Sequence, residues 1–416
     1  MQISFLGAAR EVGRSAILAN GSKRFLLDYG VKLDGKTEYP QRLRTKIDAY
    51  VLSHAHLDHS GFAPALYTNG YVPAYGTPPT IELSRLLIED SIKINARKKV
   101  RQEFSKGDLK RFQRAYVPLE YGSEVDIGNY TLSLFDAGHI TGSAITLIIN
   151  RETGKRLAYT GDYKLEPQML QKGADVVKSD VLITESTYAD REHPDRNALI
   201  KSFVDEIREI VENGGIALLP VFAVGRAQEM LAILYKNNLI DYAMIDGMAQ
   251  KASDIVMRYP DYSTNKDTLF AAMKNTTWVG SERNRKSITG PSIIVTTSGM
   301  LTGGPVLDYV RMLNQKSKIF LTGYQIPGTN GRNLMEGKPL VIDGKKYAIK
   351  TLVSYYDFSA HAGRKDLYEY IRKSGPEKII CVHGDANVAS NFAESLKLEG
   401  FDAVAPALGE TISVDL

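Results

Sequence analysis

The sequence predicts an α/β protein with two compact parts. Short apolar runs, each ending in a polar or glycine-rich tip, recur along the chain and are typical of buried strands. Amphipathic segments long enough for helices lie between several of them. The chain has 416 residues, of which 43% are hydrophobic. Because a single core stops growing near about 250 to 300 residues, we expect two domains.

Six of the predicted strands deliver a His, Asp or Glu at their carboxyl ends. In chain order they are KRFLLDYG, IDAYVLSHAH, YTLSLFDAGH, RLAYTGDY, DVLITEST and KIICVHGD. Ligands of open α/β sheets gather beyond the carboxyl ends of the strands. These six tips therefore predict one common site.

The predicted helices include PPTIELSRLLIEDSIKINARKKV and RNALIKSFVDEIREIVENGG. A middle block, 190–350, has apolar strands that run into glycine-rich turns but no group of metal-type residues. The ligand-bearing pattern resumes near residue 383. We interpret the block as a second α/β domain inserted into the first, which would comprise 1–189 and 351–416.

Composition restricts the compartment and the class of protein that we expect. The single cysteine, Cys381, rules out an internal disulfide framework and is ordinary for a reducing compartment. No run of about 18 apolar residues and no signal-peptide pattern occurs, so we expect no membrane segment and a cytoplasmic location. The formal net charge of +4 neither requires nor excludes a polyanionic partner.

One stretch is locally basic. Residues 93–116 carry nine Lys or Arg, against only Glu103 and Asp108. Such a stretch is either a solvated helix face or a surface that binds phosphates, and the sequence leaves both readings open.

The stretch SHAHLDHSG, 53–61, contains three of the seven histidines of the chain. On an extended backbone, His54 and His56 project to the same side and can reach one cation. Asp58 and His59 follow in a turn and can reach a second one. Imidazoles combined with carboxylates favour Zn²⁺, with Mn²⁺ as the alternative, because Mg²⁺ and Ca²⁺ prefer oxygen ligands.

The motifs SHAHLDHSG, DAGHITGS, YTGDY and LLDYG resemble those of the metallo-β-lactamase superfamily. TESTYAD, DFSAHAG and CVHGD resemble the further motifs of its β-CASP branch of nucleic-acid-processing nucleases. Within the branch, the chain is most similar to RNA 3′-end-processing subunits of cleavage and polyadenylation specificity factors and to their archaeal relatives. The chain starts directly at the catalytic domain, so we expect no KH extension. The resemblance implies an αββα sandwich with an inserted α/β β-CASP domain.

The resemblance also implies two zinc ions held by seven side chains, namely His54, His56 and His139 for one ion, Asp58, His59 and His383 for the other, and Asp162 between them. Asp28 would orient ligand imidazoles from behind. Taken singly, Asp28 and Asp162 could be turn formers, and His139 and His383 could be hydrogen-bonded loop residues. His193 lies among charges and is expected at the surface. Cys381 has no role in the resemblance, and we favour packing for it.

The candidate catalytic residues are His361, Glu185 and Asp58. His361 would be the general acid for the departing 3′-oxygen, since imidazole titrates near neutral pH, and Glu185 would hold its ring. Members of the branch commonly have an acidic residue where this chain has Gly363. The sequence does not show which residue, if any, takes the orienting role of that carboxylate in this chain.

The resemblance implies hydrolysis of single-stranded RNA by an endonuclease, with 5′-to-3′ exonuclease activity left open. Ser298 and Arg332, in the glycine-rich turns of the inserted block, are weak candidates for phosphate contacts. A homodimer and other RNA-processing factors are further candidate partners. The alternatives are a DNA nuclease of the same branch, a metallohydrolase of small esters and an inert RNA-binding subunit.

Overall fold

A computed structural model of the chain describes residues 1–34, 36–342, 344–349 and 351–416. The chain forms two compact units. Unit 1 comprises Met1–Pro167, Lys172–Glu192 and Ala360–Leu416, and unit 2 comprises Gln168–Gln171 and His193–Ser359.

The first part of unit 1 supplies most of its strands. These are β1 (Gln2–Phe5), β2 (Ile17–Asn20), β3 (Arg24–Leu27), β4 (Lys32–Asp34), β5 (Lys36–Glu38), β6 (Ala49–Val51), β7 (Ala74–Gly76), β8 (Tyr116–Pro118), β9 (Glu124–Ile127), β10 (Tyr130–Asp136), β11 (Ala144–Asn150), β12 (Arg156–Tyr159) and β13 (Val181–Glu185). Its helices are α1 (Leu57–Ser60), α2 (Pro78–Arg97) and α3 (Lys106–Ala115), with a 3-10 helix at Ala63–Tyr67.

Unit 2 alternates strands with helices. Its strands are β14 (Ile216–Pro220), β15 (Ala243–Asp246), β16 (Thr277–Trp278), β17 (Ser292–Thr296), β18 (Lys318–Leu321), β19 (Leu340–Ile342), β20 (Lys345–Tyr347) and β21 (Leu352–Tyr355). Its helices are α4 (Arg196–Glu212), α5 (Arg226–Lys236), α6 (Met248–Met257), α7 (Lys266–Asn275), α8 (Glu282–Lys286), α9 (Val306–Val310) and α10 (Asn330–Met335), with 3-10 helices at Ile240–Tyr242 and Pro260–Tyr262.

The end of the chain completes unit 1. It forms α11 (Arg364–Ser374), β22 (Lys378–Val382), α12 (Ala386–Leu398), β23 (Asp402–Val404) and β24 (Thr411–Ser413).

Unit 1 contains two seven-stranded sheets that pack face to face. The first has the order β24-β1-β2-β3-β6-β7-β8, and the second has the order β23-β22-β13-β12-β11-β10-β9. Phe5, Phe25 and Leu27 of the first sheet share one buried cluster with Leu134 and Ile183 of the second. This apolar interior, removed from water on both sides, holds the sheets together.

Helices cover the outer faces of both sheets. Ile88 of α2 and Phe112 of α3 pack with Leu26 of the first sheet. Leu367 of α11 and Phe392 of α12 pack on the outer face of the second sheet. The resulting layers, helix–sheet–sheet–helix, confirm the predicted αββα sandwich.

Unit 2 is built on a six-stranded sheet with the order β16-β15-β17-β14-β18-β21, and all of its paired strands are parallel. Both faces of such a sheet are covered, which explains why β14 and β17 are buried along their whole length. The sheet extends to Tyr355, beyond the limit of 350 expected from the sequence, because β21 pairs in register with β18. The exact limits of the insertion stay a prediction.

Among the described residues, no helix combines the length and apolarity that crossing a bilayer requires.

Candidate metal centre and active site

The strands of unit 1 bring their polar tips to one edge of the sandwich. Asp28 follows β3, the SHAHLDHSG stretch follows β6, and His139 follows β10 in its loop. Asp162 follows β12, Glu185 ends β13, and His383 follows β22. Asp28 and His383 have positive φ angles of 58° and 50°. Left-handed backbone is unusual for residues other than glycine and is concentrated at functional sites.

Seven of these side chains form the His/Asp cluster, which consists of His54, His56, Asp58, His59, His139, Asp162 and His383. Two sets of ligand atoms within it each lie within 4.8 Å of one another. The first set comprises His54, His56, His139 and Asp162, and the second comprises Asp58, His59, Asp162 and His383. The structure thus brings together every residue that the resemblance implies as a metal ligand.

Asp162 lies between the two sets. Its Oδ2 is 3.5 Å from His54 Nε2 and 3.3 Å from His59 Nε2. Its Oδ1 is 3.2 Å from His383 Nδ1. The side chain is almost fully buried, at 2% exposure. Burial would raise the pKa of Asp162, but the charges of His383 and His59 outweigh it and hold the pKa well below its usual value.

Four buried polar atoms of the cluster make no hydrogen bond, namely His54 Nε2, His56 Nε2, Asp162 Oδ1 and His383 Nε2. Buried polar atoms without partners are rare and require an explanation. Burial, followed by repulsion from neighbouring imidazoles, holds the pKa values of His54 and His139 well below the usual range. Neutral imidazoles offer a free lone pair, and a buried carboxylate needs a positive charge nearby. The cluster therefore fits divalent metal ions.

The His139 ring is oriented by the backbone. Its Nδ1 lies 2.9 Å from the carbonyl oxygen of Ala360. If Nδ1–H donates to that carbonyl, the lone pair remains on Nε2, which lies 3.9 Å from Asp162 Oδ2.

Asp28 is a fully buried carboxylate behind the cluster. Its Oδ2 accepts hydrogen bonds from His59 Nδ1, the Ser53 hydroxyl and the Tyr159 hydroxyl, each at 2.7 Å. Its Oδ1 accepts from the Ser53 amide, also at 2.7 Å. The Ser53 hydroxyl lies 3.1 Å from His54 Nδ1, so the same network touches a second imidazole.

Ser53 and Tyr159 were not predicted from the sequence. Ser53 directly precedes His54, so its position inside the motif was an available signal. Tyr159 comes from the second sheet and reaches Asp28 of the first sheet. No local pattern in the sequence announces that contact.

His361 and Glu185 form a pair beside the cluster. His361 Nδ1 lies 2.9 Å from Glu185 Oε2, and the Tyr163 amide donates to Glu185 Oε1 at 2.9 Å. His361 Nε2 lies 4.0 Å from Asp162 Oδ2, and the side chain retains 21% exposure. Burial alone would lower the pKa of His361, but the carboxylates of Glu185 and Asp162 raise it to about 9.

The position of Gly363 has a local explanation. This residue is the N-cap of α11 and offers no side chain to the helix. The Lys365 amide donates instead to Glu192 Oε2 at 3.2 Å, and the Arg364 amide donates to the Arg191 carbonyl at 2.9 Å. The first turn of α11 is therefore capped by the segment that follows TESTYAD.

Ser298 and Arg332 lie in unit 2, where both make local contacts. The Ser298 hydroxyl accepts from the Thr302 amide at 3.1 Å. Arg332 Nε donates to Glu336 Oε1 at 2.6 Å within α10. Their roles toward a substrate stay a prediction.

The expectation for His193 was wrong. Its side chain is only 8% exposed, and its Nδ1 lies 3.4 Å from Asp357 Oδ2 in unit 2. Cys381 packs in the core beneath α11 and α12, as expected, and burial raises the pKa of its thiol to about 12.

Comparisons with known proteins agree with the motifs. A family model described as Beta-Casp domain matches residues 227–334. A model described as Zn-dependent metallo-hydrolase RNA specificity domain matches 346–406. A third model, described as Anti-Pycsar protein Apyc1, matches 1–210.

Archaeal relatives match nearly the whole length of this chain. The chain is 40% identical to "Probable RNase MJ4" of Methanocaldococcus jannaschii over 100% of both chains. It is 35% identical to "RNase aCSPSF2" of Saccharolobus solfataricus, over 99% of this chain and 85% of the relative. It is also 35% identical to "Transcription termination factor FttA" of M. jannaschii, over 95% of this chain and 69% of the relative.

A solved structure, "Crystal Structure of a Protein of Unknown Function from Enterococcus faecalis V583", shares the fold. It matches with a TM-score of 0.62 and 15% identity, over 99% of both chains. The archaeal relatives, the two domain models and the His/Asp cluster agree. The chain belongs to the metal-dependent ribonucleases of the β-CASP branch of the metallo-β-lactamase superfamily.

Proposed function

We propose that the protein hydrolyses phosphodiester bonds of single-stranded RNA with two zinc ions, as an endonuclease in RNA processing or decay. Degradation from the 5′ end is a second activity that the cleavage products test. The observation that carries this proposal is the convergence of five imidazoles and two carboxylates on one edge of unit 1, with Asp162 shared between two sets.

The residues fit zinc by their chemistry, with Mn²⁺ as the alternative, because imidazole and carboxylate ligands suit both ions. When bound, such ions activate water and neutralise the phosphate oxygens during in-line displacement. Asp58 is the more exposed of the two carboxylates of the cluster, at 34%, and its Oδ2 lies 3.5 Å from His383 Nε2. It would serve as a metal ligand in the second set.

His361 would supply the proton that the departing 3′-oxygen requires. Its Nδ1 is engaged by Glu185, which leaves Nε2 directed toward the His/Asp cluster. The partial exposure of the ring allows contact with a bound substrate. Glu185 would keep the His361 ring oriented, because the Tyr163 amide holds the Glu185 carboxylate in place. The negative charge of that carboxylate would favour the protonated form of the ring.

Asp28→Asn is expected to weaken zinc binding by about 10- to 100-fold, because partners behind a ligand imidazole fix its orientation and basicity. The amide can still accept from Ser53, so the fold should persist. Competition with a zinc-selective fluorescent chelator measures the affinity. Wild-type affinity in this variant would contradict the orienting role of Asp28.

Metal removal is expected to abolish cleavage. Protein treated with a chelator and then desalted should leave 5′-labelled single-stranded RNA intact, and adding Zn²⁺ or Mn²⁺ should restore cleavage. Internal fragments indicate the endonuclease, and mononucleotides indicate 5′-to-3′ degradation. Undiminished cleavage by metal-free protein would contradict the proposal, and binding without cleavage under all metal conditions would favour an inert RNA-binding subunit.

Further partners belong to the same proposal. We propose that the chain forms a homodimer and acts with other RNA-processing factors. Light scattering of the purified protein tests the homodimer, and a monomer over a wide concentration range would contradict it.

A further inference from the structure

The locally basic stretch of the sequence forms an exposed surface of unit 1, here called the basic patch. It lies on the last turns of α2, the connection to α3 and α3 itself. Its nine members are all exposed, namely Lys93, Arg97, Lys98, Lys99, Arg101, Lys106, Lys110, Arg111 and Arg114.

The two acidic residues within the stretch are already engaged. Glu103 accepts from Arg42 at 2.7 Å, and Asp108 accepts from the Ser105 amide and hydroxyl, each at 2.7 Å. Asp108 also pairs with Arg111. Within the described ranges, no ion pair involves the other eight cations of the patch. Their charge is therefore not neutralised by a direct ion pair.

Glu89 and Asp90 lie one turn before Lys93 on α2, and Glu89 pairs with Arg85. From Lys93 to Arg114, however, nine cations face only Glu103 and Asp108, which a merely solvated helix face does not explain. Exposed helices usually mix acidic and basic residues, since like charges one turn apart repel each other. The patch nevertheless rests on a rigid base, because Leu109 and Phe112 of α3 and Ile88 of α2 are buried in one apolar cluster. A rigid surface that concentrates positive charge is suited to a polyanion.

The patch is connected to the loops that carry the His/Asp cluster. At the start of α2, the Thr77 and Thr80 hydroxyls donate to the carbonyl of Gly142, in the loop of His139, at 2.6 and 2.9 Å. On α3, Arg111 Nε donates at 2.7 Å to the carbonyl of Tyr67, in the 3-10 helix that follows α1.

The length of α2 sets the distance. With a rise of about 1.5 Å per residue, Lys93 lies about 22 Å and Arg97 about 28 Å along the helix from Pro78. At about 3.4 Å per nucleotide of a stacked strand, this length of α2 equals that of about 6 to 9 nucleotides, so an RNA that reaches the patch is longer than a few nucleotides.

We propose that the basic patch is an RNA-binding surface outside the cleavage site, which holds the phosphate backbone of the substrate at a distance from the scissile bond. The inference rests on the proposed function, because it takes RNA as the polyanion. The contacts are charge-based, so they favour no base sequence and weaken as salt increases.

An acidic protein is the other class of partner that such a surface could attract. Specific protein interfaces are centred on buried aromatic or apolar anchors. The exposed large apolar residues of the stretch are Ile94 and Val100, at 40% and 42% exposure, and no aromatic residue of the patch helices is among them. The surface therefore fits phosphates better than a protein anchor.

The test compares two variants with equal loss of charge. The patch variant carries Lys93→Gln, Arg97→Gln, Lys98→Gln and Lys99→Gln. The control variant carries Lys155→Gln, Lys373→Gln, Lys378→Gln and Lys397→Gln, four lysines of unit 1 that each pair with a carboxylate. Both are made in the His361→Ala background, and fluorescence anisotropy measures binding of a labelled 20-nucleotide single-stranded RNA at several salt concentrations.

The patch variant should bind about 10- to 100-fold more weakly at low salt, and its salt slope should fall by about 0.7 for each lost phosphate contact. The control variant should bind like its parent. With the His361 side chain restored, the patch variant should show a raised KM and unchanged kcat on the 20-nucleotide RNA, and normal cleavage of a four-nucleotide RNA.

Equal affinities and salt slopes for the patch and control variants would overturn the inference, and would leave an acidic protein as the candidate partner. The binding experiment does not depend on cleavage. An absence of cleavage by the wild-type protein would therefore count against the proposed function alone, while a loss of affinity confined to the patch variant would still support the patch.

Discussion

His361→Ala is expected to keep its metal content and lose RNA cleavage by about 10²- to 10⁴-fold, the usual contribution of a positioned general acid. The reason lies in the geometry. His361 Nε2 is 4.0 Å from Asp162 Oδ2, and its Nδ1 is held by Glu185, so the ring stands beside the two ligand sets. Removing it withdraws a proton donor and leaves both sets complete.

The measurement pairs a single-turnover cleavage rate with elemental analysis of the same sample. Glu185→Gln serves as the companion variant, because it keeps the size of the side chain but removes the charge that favours protonated His361. It should reduce the rate in the same direction with metal retained. Full activity of His361→Ala at normal metal content would remove His361 from the mechanism.

Asp162→Ala is expected to lose both metal and activity. Its two carboxylate oxygens face different sets, with Oδ2 near His54 and His59 and Oδ1 near His383. Removing the carboxylate leaves five imidazoles with little negative charge to balance two cations. We expect fewer than two zinc ions per chain and cleavage reduced by at least about 10³-fold.

Asp136→Asn is the matched control for this variant. Asp136 is also a buried aspartate at the end of a strand, but its Oδ1 accepts from the Gly138 amide and it belongs to neither ligand set. It should retain both metal and activity. Two tightly held zinc ions in Asp162→Ala would show that Asp162 does not bridge the sites.

Much of unit 1 could be predicted because its site is assembled from strand ends. Each of the six apolar runs forms a strand, and each ends where its polar tip was expected. A strand buried on both faces has a recognisable continuous apolar pattern, and its carboxyl end follows directly from it. The positions of Asp162 and His383 could therefore be inferred although neither lies near SHAHLDHSG in the sequence.

Other features depend on contacts that leave no local trace. The Tyr159 hydroxyl of the second sheet donates to Asp28 at the end of a strand of the first sheet. Only the packing of the two sheets brings these residues together. Residues 168–171 join unit 2 because the Met169 and Leu170 amides donate to the buried Glu229 carboxylate. A segment of only four residues is too short to show a hydrophobic periodicity, so the sequence does not indicate that it belongs to unit 2.

The role of the basic stretch, 93–116, also could not be predicted from the sequence. The sequence left two readings open, because the number of cations says nothing about which carboxylates lie next to them. The pairing of Glu103 with Arg42, from a distant loop, and the exposure of all nine cations were needed to favour a phosphate-binding surface.

The central claim is that two metal ions are held at one edge of the sandwich by the His/Asp cluster. The most direct test is a crystal structure of the zinc-loaded protein with anomalous data collected at the zinc edge. We expect two anomalous peaks on either side of the Asp162 carboxylate, with imidazole nitrogens at about 2.0 to 2.1 Å. One peak should contact His54, His56 and His139, and the other Asp58, His59 and His383. No peak at this edge would contradict the account.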